Sequence, residues 1–313
     1  MTLTRDNFIG PWAGLPVAWT DNDRFDEATY RASVAACCTA GVPGVYTGGS
    51  TGEFYALEFE EFQQIARVTV ETCHQHGTPC MVGCTATSTR GAALRAEYAA
   101  AIGADAIQVA LPFWLPIPAD QIVPFCRDVA AAAPGLAWSL YETQRAKVTL
   151  TVEQHRAVKD AVPQYLMVKA NDGTVGRDEA GCQALSEFVN VFVGESVLAG
   201  LARQGACGSC SSVIYWSPRF MLKLWGHVRA REWELADAMS ARLDRLYQFL
   251  FKTWGQRGFV DTGYDRLGAV AGGFLPTSLR CRAPYPHATE EDVRIWQAWC
   301  GENLSEMVGE GNG

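Results

Sequence analysis

The sequence predicts a (β/α)₈ barrel of the α/β class, with additional helices at its C-terminal end. Three observations lead to it. The chain has 313 residues, short apolar β-prone runs recur eight times, and an amphipathic stretch follows each of the first seven. Strands that alternate with helices pair in parallel through crossover connections, and eight such units suggest closure into a barrel of about 250 residues. A doubly wound open sheet is the structural alternative.

The eight strand candidates are spaced along the first two thirds of the chain. They are Ala13–Trp19, Gly44–Thr47, Cys80–Cys84, Ala106–Ala110, Ala137–Tyr141, Leu166–Lys169, Val191–Val193 and Gly208–Ile214. Helical patterns lie between them, at Asp26–Ala40, Phe59–His76, Arg90–Ile102, Ala119–Ala132, Val152–Val162, Arg177–Phe188 and Val197–Gln204. Apolar residues in these stretches recur at the three-to-four-residue spacing of an amphipathic helix.

The alternation stops after the eighth strand. Pro218–Glu232, Leu235–Gly255 and Glu290–Val308 have the pattern of consecutive helices without strands. We therefore predict a barrel over residues 1–232 and a C-terminal helical extension over residues 233–313. No Pro/Gly-rich linker separates the two, so the predicted boundary is a soft one.

Composition narrows the classes of function. The formal net charge is −8 and Lys and Arg form no cluster, which argues against a nucleic-acid or anionic-membrane surface. The sequence has no apolar run of about 18 residues and no basic start followed by an apolar stretch, so we expect a soluble, cytoplasmic protein. The 11 cysteines are scattered through apolar segments, which favours reduced, buried thiols over a disulfide framework.

Chemistry in such a barrel sits at the C-terminal ends of the strands. Lys169 ends the sixth strand candidate. Strand alternation turns Lys169 and Met167 to the same, inward face, where poor solvation lowers the pKa of a lysine and makes it a usable Schiff-base nucleophile. A strand-end lysine that extends to solvent is the more common situation for a lysine taken alone.

Two further candidates end neighbouring strands. Tyr141 ends the fifth, and its phenol can both donate and accept a proton, as the dehydration step of a Schiff-base cycle requires. The turn Gly49–Glu53 follows the second strand, and the hydroxyls of Ser50 and Thr51 with nearby backbone N–H groups could hold a carboxylate. Taken alone, a barrel-rim aromatic and a plain strand-to-helix turn are the simpler interpretations. A phosphate loop is a third possibility for the turn, but no lysine follows in Walker position.

One cysteine pair matches a metal-binding spacing, but its position argues against that function. Cys207-Gly208-Ser209-Cys210 matches a CxxC spacing but falls in the eighth strand candidate. Residues three apart on a strand point to opposite faces, so the two thiols cannot jointly hold zinc. We expect neither a metal site nor catalysis there.

Together these residues resemble the dihydrodipicolinate synthase / N-acetylneuraminate lyase family of class I, Schiff-base-forming aldolases, over nearly the whole chain. Gly49–Glu53, with Leu57 and Glu60-Glu61 after it, is similar to the family's keto-acid loop. Leu140-Tyr141 resembles its fifth-strand tyrosine and Val168-Lys169 its Schiff-base lysine. The last two strands carry similar motifs, Gly194-Glu195-Ser196 and Gly205-Ala206-Cys207-Gly208. Each motif is short, but their order and spacing are specific.

The resemblance implies a lyase that acts on pyruvate or a related 2-oxo acid, with Lys169 and Tyr141 as catalytic residues. It implies no metal or organic cofactor, no nucleic-acid or membrane partner, and a homo-oligomer, usually a tetramer, with a dimer as the alternative. The substrate-binding residues that we assign are Gly49, Ser50, Thr51, Trp114, Arg145 and Ser211.

The departures from the family pattern concern the second substrate. Family synthases have two tyrosines after a proline at the end of strand four, where this chain has Pro112-Phe113-Trp114. The usual Asn and Pro after the fifth-strand tyrosine are Glu142 and Gln144, and Arg145 lies four rather than five places after that tyrosine. We therefore do not expect lysine-pathway synthase activity. The Pro-aromatic-Trp run is similar to that of the family's hydratase-aldolases, which act on aromatic pyruvate adducts.

Three functions stay open at this point. The first is a carbon–carbon aldolase or lyase. The second is a dehydratase or deaminase of a 2-keto-3-deoxy acid that uses the same Schiff base. The third is a non-catalytic 2-oxo-acid sensor, but such a protein would be expected to have lost Lys169 or Tyr141, and this chain has both.

Overall fold

The computed structural model describes residues 2–308, and its eight parallel strands close into a (β/α)₈, or TIM, barrel in the order β1 to β8. The fold class predicted from the sequence is confirmed, and the open sheet is not. The strands are β1 Gly10–Gly14, β2 Val45–Thr47, β3 Cys80–Gly83, β4 Ala106–Val109, β5 Ala137–Glu142, β6 Tyr165–Ala170, β7 Asn190–Phe192 and β8 Ala206–Ser211.

Seven helices follow β1 to β7 in turn, and five more follow β8 within the described residues. The first set is α1 Glu27–Thr39, α2 Phe59–Gln75, α3 Thr89–Ala101, α4 Ile122–Ala131, α5 Val152–Ala161, α6 Glu179–Ser186 and α7 Leu198–Ala202. The second is α8 Val213–Trp216, α9 Pro218–Ala230, α10 Trp233–Trp254, α11 Asp261–Gly272 and α12 Glu290–Asn303. No helix among residues 2–308 combines the length and the apolar character that crossing a lipid bilayer requires.

Two predicted strands were placed wrongly. The first strand was expected at Ala13–Trp19 but β1 is Gly10–Gly14, because Pro16 has no N–H to donate and so cannot extend the ladder. The eighth was expected to run to Ile214, but β8 ends at Ser211. The Ser211 hydroxyl accepts a hydrogen bond from the Ile214 N–H at 3.0 Å, and this bond starts α8.

Helix α11 was missed from the sequence. Nine of its twelve residues are buried, so the helix lacks the polar face that makes an amphipathic pattern recognisable. Its glycines allow close packing: a Cβ on Gly268 would come within 2.2 Å of the Trp216 ring. The Trp216 indole N–H also donates to the Asp265 carbonyl at 3.0 Å. These contacts fix α11 against α8.

By its internal contacts the chain divides into two compact units. The β3–β8 unit comprises the residues up to Gly10 together with Pro79–Cys210. Its core packs strand side chains against α3 to α7, and Trp138 and Tyr165 meet edge to face with ring centroids 5.3 Å apart. The C-terminal-helix unit comprises Pro11–Thr78 together with the chain from Ser211 onward, and α1, α2 and α8 to α12 form its core. A domain boundary at residues 232/233 stays a prediction.

Candidate active site

Tyr141 and Lys169 are the penultimate residues of neighbouring strands and lie against each other. They are register partners in the β5–β6 ladder, and the Lys169 Nζ stands 4.1 Å from the centroid of the Tyr141 ring. Tyr141 is buried, whereas Lys169 is partly accessible. Asn171, two residues beyond Lys169, places its side-chain amide 3.4 Å from the Tyr141 hydroxyl. Lys169, Tyr141 and Asn171 therefore offer an amine, a phenol and an amide donor at one end of the barrel.

The residue after Tyr141 enters a buried network that sequence reasoning missed. The Glu142 carboxylate lies 3.0 Å from the His155 Nε2, and the His155 Nδ1 lies 2.8 Å from the Tyr165 hydroxyl. All three side chains are almost fully buried. Burial, and secondarily the Glu142 charge, raises the pKa of Tyr165 well above its ordinary value, so this phenol keeps its proton. Nothing in the sequence distinguishes His155 from any other helical histidine.

The loop between β5 and α5 carries Arg145, which is exposed within a single 3₁₀ turn, Gln144–Ala146. Lys147 follows in the left-handed region, with φ of 61°, and its ammonium donates to the Trp114 carbonyl at 2.6 Å. The Trp114 side chain is 75% exposed. The loop after β4 and the loop after β5 are therefore joined by a direct contact.

The predicted keto-acid turn belongs to the C-terminal-helix unit. Ser50 and Thr51 are buried, and a Cβ on Gly49 would stand 3.0 Å from the Tyr46 ring. The Thr51 hydroxyl lies 2.5 Å from a carboxylate oxygen of Asp265 on α11. This contact could not be predicted, because α11 itself was not recognised in the sequence.

Glu53 ends the turn in a left-handed conformation, with φ of 51°, which is unfavourable for a residue with a side chain. Its carboxylate compensates with three donors: the Trp19 indole N–H at 2.7 Å, the Arg282 backbone N–H at 2.7 Å and the guanidinium of Arg266. Glu53 and Arg266 are both fully buried. Two consecutive residues of α11 thus hold the turn, Asp265 at Thr51 and Arg266 at Glu53.

The predicted site residues are found in both units. Lys169, Tyr141, Trp114 and Arg145 belong to the β3–β8 unit, and Gly49, Ser50, Thr51 and Ser211 belong to the other. Ser211 is buried, and its hydroxyl accepts a hydrogen bond from the Ile214 N–H in the first turn of α8. Cys207 and Cys210 lie on β8 as expected. The roles assigned to all of these residues remain predictions.

The fold and its strand-end chemistry define a barrel enzyme, and comparison with known proteins identifies the family. Residues 8–296 match the model of the dihydrodipicolinate synthetase family. A 4-hydroxy-tetrahydrodipicolinate synthase of Halorhodospira halophila is 28% identical over 231 residues, which are 73% of this chain and 76% of that protein. A trans-O-hydroxybenzylidenepyruvate hydratase-aldolase of Pseudomonas putida is 28% identical over 151 residues, 46% of this chain and 45% of that protein.

The crystal structure of dihydrodipicolinate synthase from Aquifex aeolicus superposes with a TM-score of 0.85 at 17% identity, covering 97% of this chain and all of that one. At this identity the superposition supports the fold alone. The family match covers nearly the whole chain, so the chain belongs to the dihydrodipicolinate synthetase family and is a lyase of that family. The resemblance read from the motifs is confirmed.

Proposed function

We propose that the protein is a class I aldolase or lyase that forms a Schiff base between Lys169 and pyruvate or a related 2-oxo acid. One observation carries the proposal: the Lys169 Nζ lies 4.1 Å from the ring centroid of Tyr141 at two adjacent strand ends. A lysine with a phenol beside it has both parts that carbonyl condensation needs, a nucleophilic amine and a group that moves protons.

In the proposed reaction the neutral Lys169 amine attacks C2 of the 2-oxo acid and forms a carbinolamine. The Tyr141 phenol donates a proton to the departing hydroxyl, and water leaves to give the iminium. The Tyr141 phenolate then takes a proton from C3, which gives an enamine. C3 of the enamine adds to the carbonyl carbon of an aldehyde while Tyr141 returns a proton to the aldehyde oxygen, and hydrolysis of the resulting iminium releases the product from Lys169. Cleavage of a product follows the same steps in reverse.

We assign the substrate carboxylate to the turn that contains Ser50 and Thr51. The Thr51 hydroxyl donates its one proton in a hydrogen bond to the Asp265 carboxylate. It therefore cannot also donate to a substrate. The backbone N–H groups of the turn are therefore the proposed donors. Arg145, on the exposed 3₁₀ turn after Tyr141, is the proposed contact for the group beyond the 2-oxo acid, and Ser211 is a proposed substrate contact at the end of β8.

The acceptor that we favour is aromatic or otherwise apolar. Phe113 and Trp114 follow β4, and Trp114 offers 75% of its surface, so an aromatic ring gains a stacking energy of about 0.5–1.5 kcal/mol there beyond area burial. The similarity to a hydratase-aldolase of hydroxybenzylidenepyruvate supports this choice, whereas the similarity to a 4-hydroxy-tetrahydrodipicolinate synthase supports the synthase reaction instead. The proposal includes a homo-oligomer, dimer or tetramer.

Reductive trapping tests the proposal. Sodium borohydride added with pyruvate should leave one covalent adduct per chain, located on Lys169 by peptide mass spectrometry. Lys169→Ala should abolish the adduct, and Lys252→Ala, which removes an exposed lysine of α10, should not. An adduct that persists in Lys169→Ala, or the absence of any adduct across a panel of 2-oxo acids, contradicts the mechanism.

A product screen separates the remaining alternatives. The enzyme is offered pyruvate with a panel of aldehydes and, separately, a panel of 2-keto-3-deoxy acids. A new carbon–carbon bond supports the aldolase. Loss of water or ammonia without carbon–carbon cleavage supports the dehydratase or deaminase. An adduct on Lys169 without turnover of any compound supports the sensor.

A further inference from the structure

Glu142, at the C-terminal end of β5, has both carboxylate oxygens in contact with buried donors. Its Oε1 accepts the Leu150 backbone N–H at 2.8 Å, and its Oε2 lies 3.0 Å from the His155 Nε2. Glu142 is 3% exposed and His155 is fully buried. A carboxylate in such a place needs strong partners, because an uncompensated buried charge is very unfavourable.

His155 links Glu142 to Tyr165. Its Nδ1 lies 2.8 Å from the Tyr165 hydroxyl and its Nε2 lies 3.0 Å from Glu142. The Tyr165 hydroxyl can donate to the ring or accept from it, so it can hold the imidazole in either tautomer. The three buried side chains therefore form one continuous chain of hydrogen bonds, in which His155 is held at both ring nitrogens.

The Leu150 N–H closes the loop of residues 143–149, here called the β5–α5 loop, and this loop contacts its neighbours on both sides. Lys147 reaches the Trp114 carbonyl, which follows β4. On the other side the Gln144 side chain packs so closely on Gly173, which follows β6, that a Cβ there would come within 1.7 Å of the Gln144 Nε2. The β5–α5 loop therefore contacts the loop after β4 and the loop after β6, the strand that carries Lys169.

We infer that Glu142, oriented by His155, is a positioning residue that holds the β5–α5 loop in place. The loop then forms the wall that contacts the part of the substrate beyond its 2-oxo acid group. The inference rests on the proposed function for the identity of the substrate, but its structural half does not depend on it. Alternation along β5 turns Glu142 to the face opposite Tyr141, so Glu142 acts through the loop and not on the reacting atoms.

The experiment compares Glu142→Ala, Glu142→Gln and a matched control, Glu153→Gln, which changes an exposed glutamate in the first turn of α5. One measurement is the rate of limited trypsin cleavage after Arg145 or Lys147, both within the loop. The other is borohydride trapping over a range of concentrations of pyruvate and of phenylpyruvate. Phenylpyruvate is a 2-oxo acid with an aromatic ring and no hydroxyl at which aldol cleavage could occur.

Glu142→Ala should raise the trypsin cleavage rate at least about tenfold, because two buried donors lose their acceptor and the open loop becomes more populated. The concentration of phenylpyruvate that gives half-maximal trapping should rise by about tenfold or more, as expected for a displaced positioning group. The corresponding concentration of pyruvate should stay nearly unchanged. Glu142→Gln should behave like wild type, since its amide can serve both partners once His155 adopts the other tautomer.

The inference is overturned if Glu142→Ala leaves both the cleavage rate and the phenylpyruvate half-saturation at wild-type values. It is also overturned if Glu142→Gln is as defective as Glu142→Ala, because the charge and not the two bonds would then matter. Should Glu142→Ala not fold, Glu142→Asp replaces it, since the shorter side chain cannot reach both donors. Failure of the wild type to trap pyruvate contradicts the proposed function. In that case the trypsin cleavage rates alone test whether Glu142 holds the β5–α5 loop in place.

Discussion

Tyr141 and Lys169 illustrate how strand position determines the chemistry of a residue. The amine and the ring meet because they are register partners on parallel strands, and no other pair of elements is needed to align them. The ring lies 4.1 Å from the Nζ, so the contact also limits where the flexible lysine stem can go. The direction in which the amine can point is thereby restricted.

Tyr141→Phe tests the relay assigned to this phenol. The substitution keeps the ring under Lys169 but removes the hydroxyl, so kcat should fall by about 10²–10⁴, the scale of general acid–base catalysis. The measurement is steady-state turnover of the substrate that the product screen identifies. Tyr98→Phe, on α3, is the control and should retain normal turnover. Wild-type kcat in Tyr141→Phe refutes the assigned role.

The Glu61–Arg282 pair gives a pH prediction. Two bonds of 2.6 Å join Arg282 to Glu61, and they lower the pKa of Glu61 in the folded protein. The resulting stability is fully present above the ordinary glutamate pKa of about 4.3 and is lost as the pH falls through the lowered folded value. Glu61→Gln should therefore reduce the free energy of unfolding at neutral pH by about 1–3 kcal/mol.

Urea unfolding at several pH values measures this effect. The difference between wild type and Glu61→Gln should shrink progressively as the pH is lowered below the ordinary glutamate pKa. Glu60→Gln, which changes the exposed neighbour on α2, is the control and should follow the wild type throughout. A difference that stays constant over the acid range would show that the charge of Glu61 contributes nothing.

At the scale of elements, α11 supports the turn after β2. Asp265 and Arg266 follow each other on this helix and contact Thr51 and Glu53 respectively. The Arg266 guanidinium also donates to the Val17 carbonyl at 2.5 Å and the Thr262 hydroxyl at 3.1 Å. A helix outside the barrel thus sets the conformation of a turn that we assign to substrate binding.

Arg266→Leu should destabilise the protein by about 3–5 kcal/mol, because Glu53 would remain as a buried charge without its counterion. The free energy of unfolding in urea measures this loss. Arg294→Leu, in an exposed pair with Glu291 on α12, is the matched control and should change the free energy by less than about 0.5 kcal/mol. Equal effects of the two substitutions would contradict the supporting role given to α11.

At the scale of the whole molecule, the closed parallel barrel brings the C-terminal ends of all eight strands to one face. Lys169 and Tyr141 lie at the C-terminal ends of β6 and β5. The differences among enzymes on this fold arise mainly in the loops that follow the strands. In this chain the loop after β4 contains Phe113 and Trp114, and we propose that the choice of acceptor depends on this loop.

We expect aspartate semialdehyde to be a poor acceptor for the enamine that pyruvate is proposed to form on Lys169. The loop after β4 has no hydroxyl where the family's synthases have tyrosines, and its apolar surface favours an aromatic ring. The measurement compares kcat/KM for aspartate semialdehyde with that for benzaldehyde at fixed pyruvate. Trp114→Tyr, which restores a hydroxyl, should reduce the preference for benzaldehyde. If the semialdehyde is better by about tenfold, a difference of 1.4 kcal/mol, the synthase function is correct.

The sequence predicted the elements with strong local signals and failed where tertiary contacts decide. The β5 and β6 strands, with Tyr141 and Lys169 near their C-terminal ends, were recognisable because apolar alternation is a local property. Helix α11 was not, since burial on most of its faces removes the amphipathic period. For the same reason Asp265 and Arg266 could not be connected with the turn that they hold.

The Glu142 network shows a second limit of the same kind. Glu142 was visible as a departure from the family pattern, but its partners lie on α5 and at the start of β6. A glutamate, a histidine and a tyrosine at these spacings are common in sequences, and only the folded β3–β8 unit brings them within hydrogen-bond distance.

The contact between Thr51 and Asp265 spans 214 positions of the chain, and this separation has a consequence for synthesis on the ribosome. At about 5–20 residues per second, a nascent chain waits roughly 10–40 seconds between making the turn and making the helix that holds it. During that interval Glu53 lacks Arg266, its buried counterion. The turn after β2 therefore cannot complete its contacts until α11 has been synthesised, whatever the speed at which the earlier strands fold.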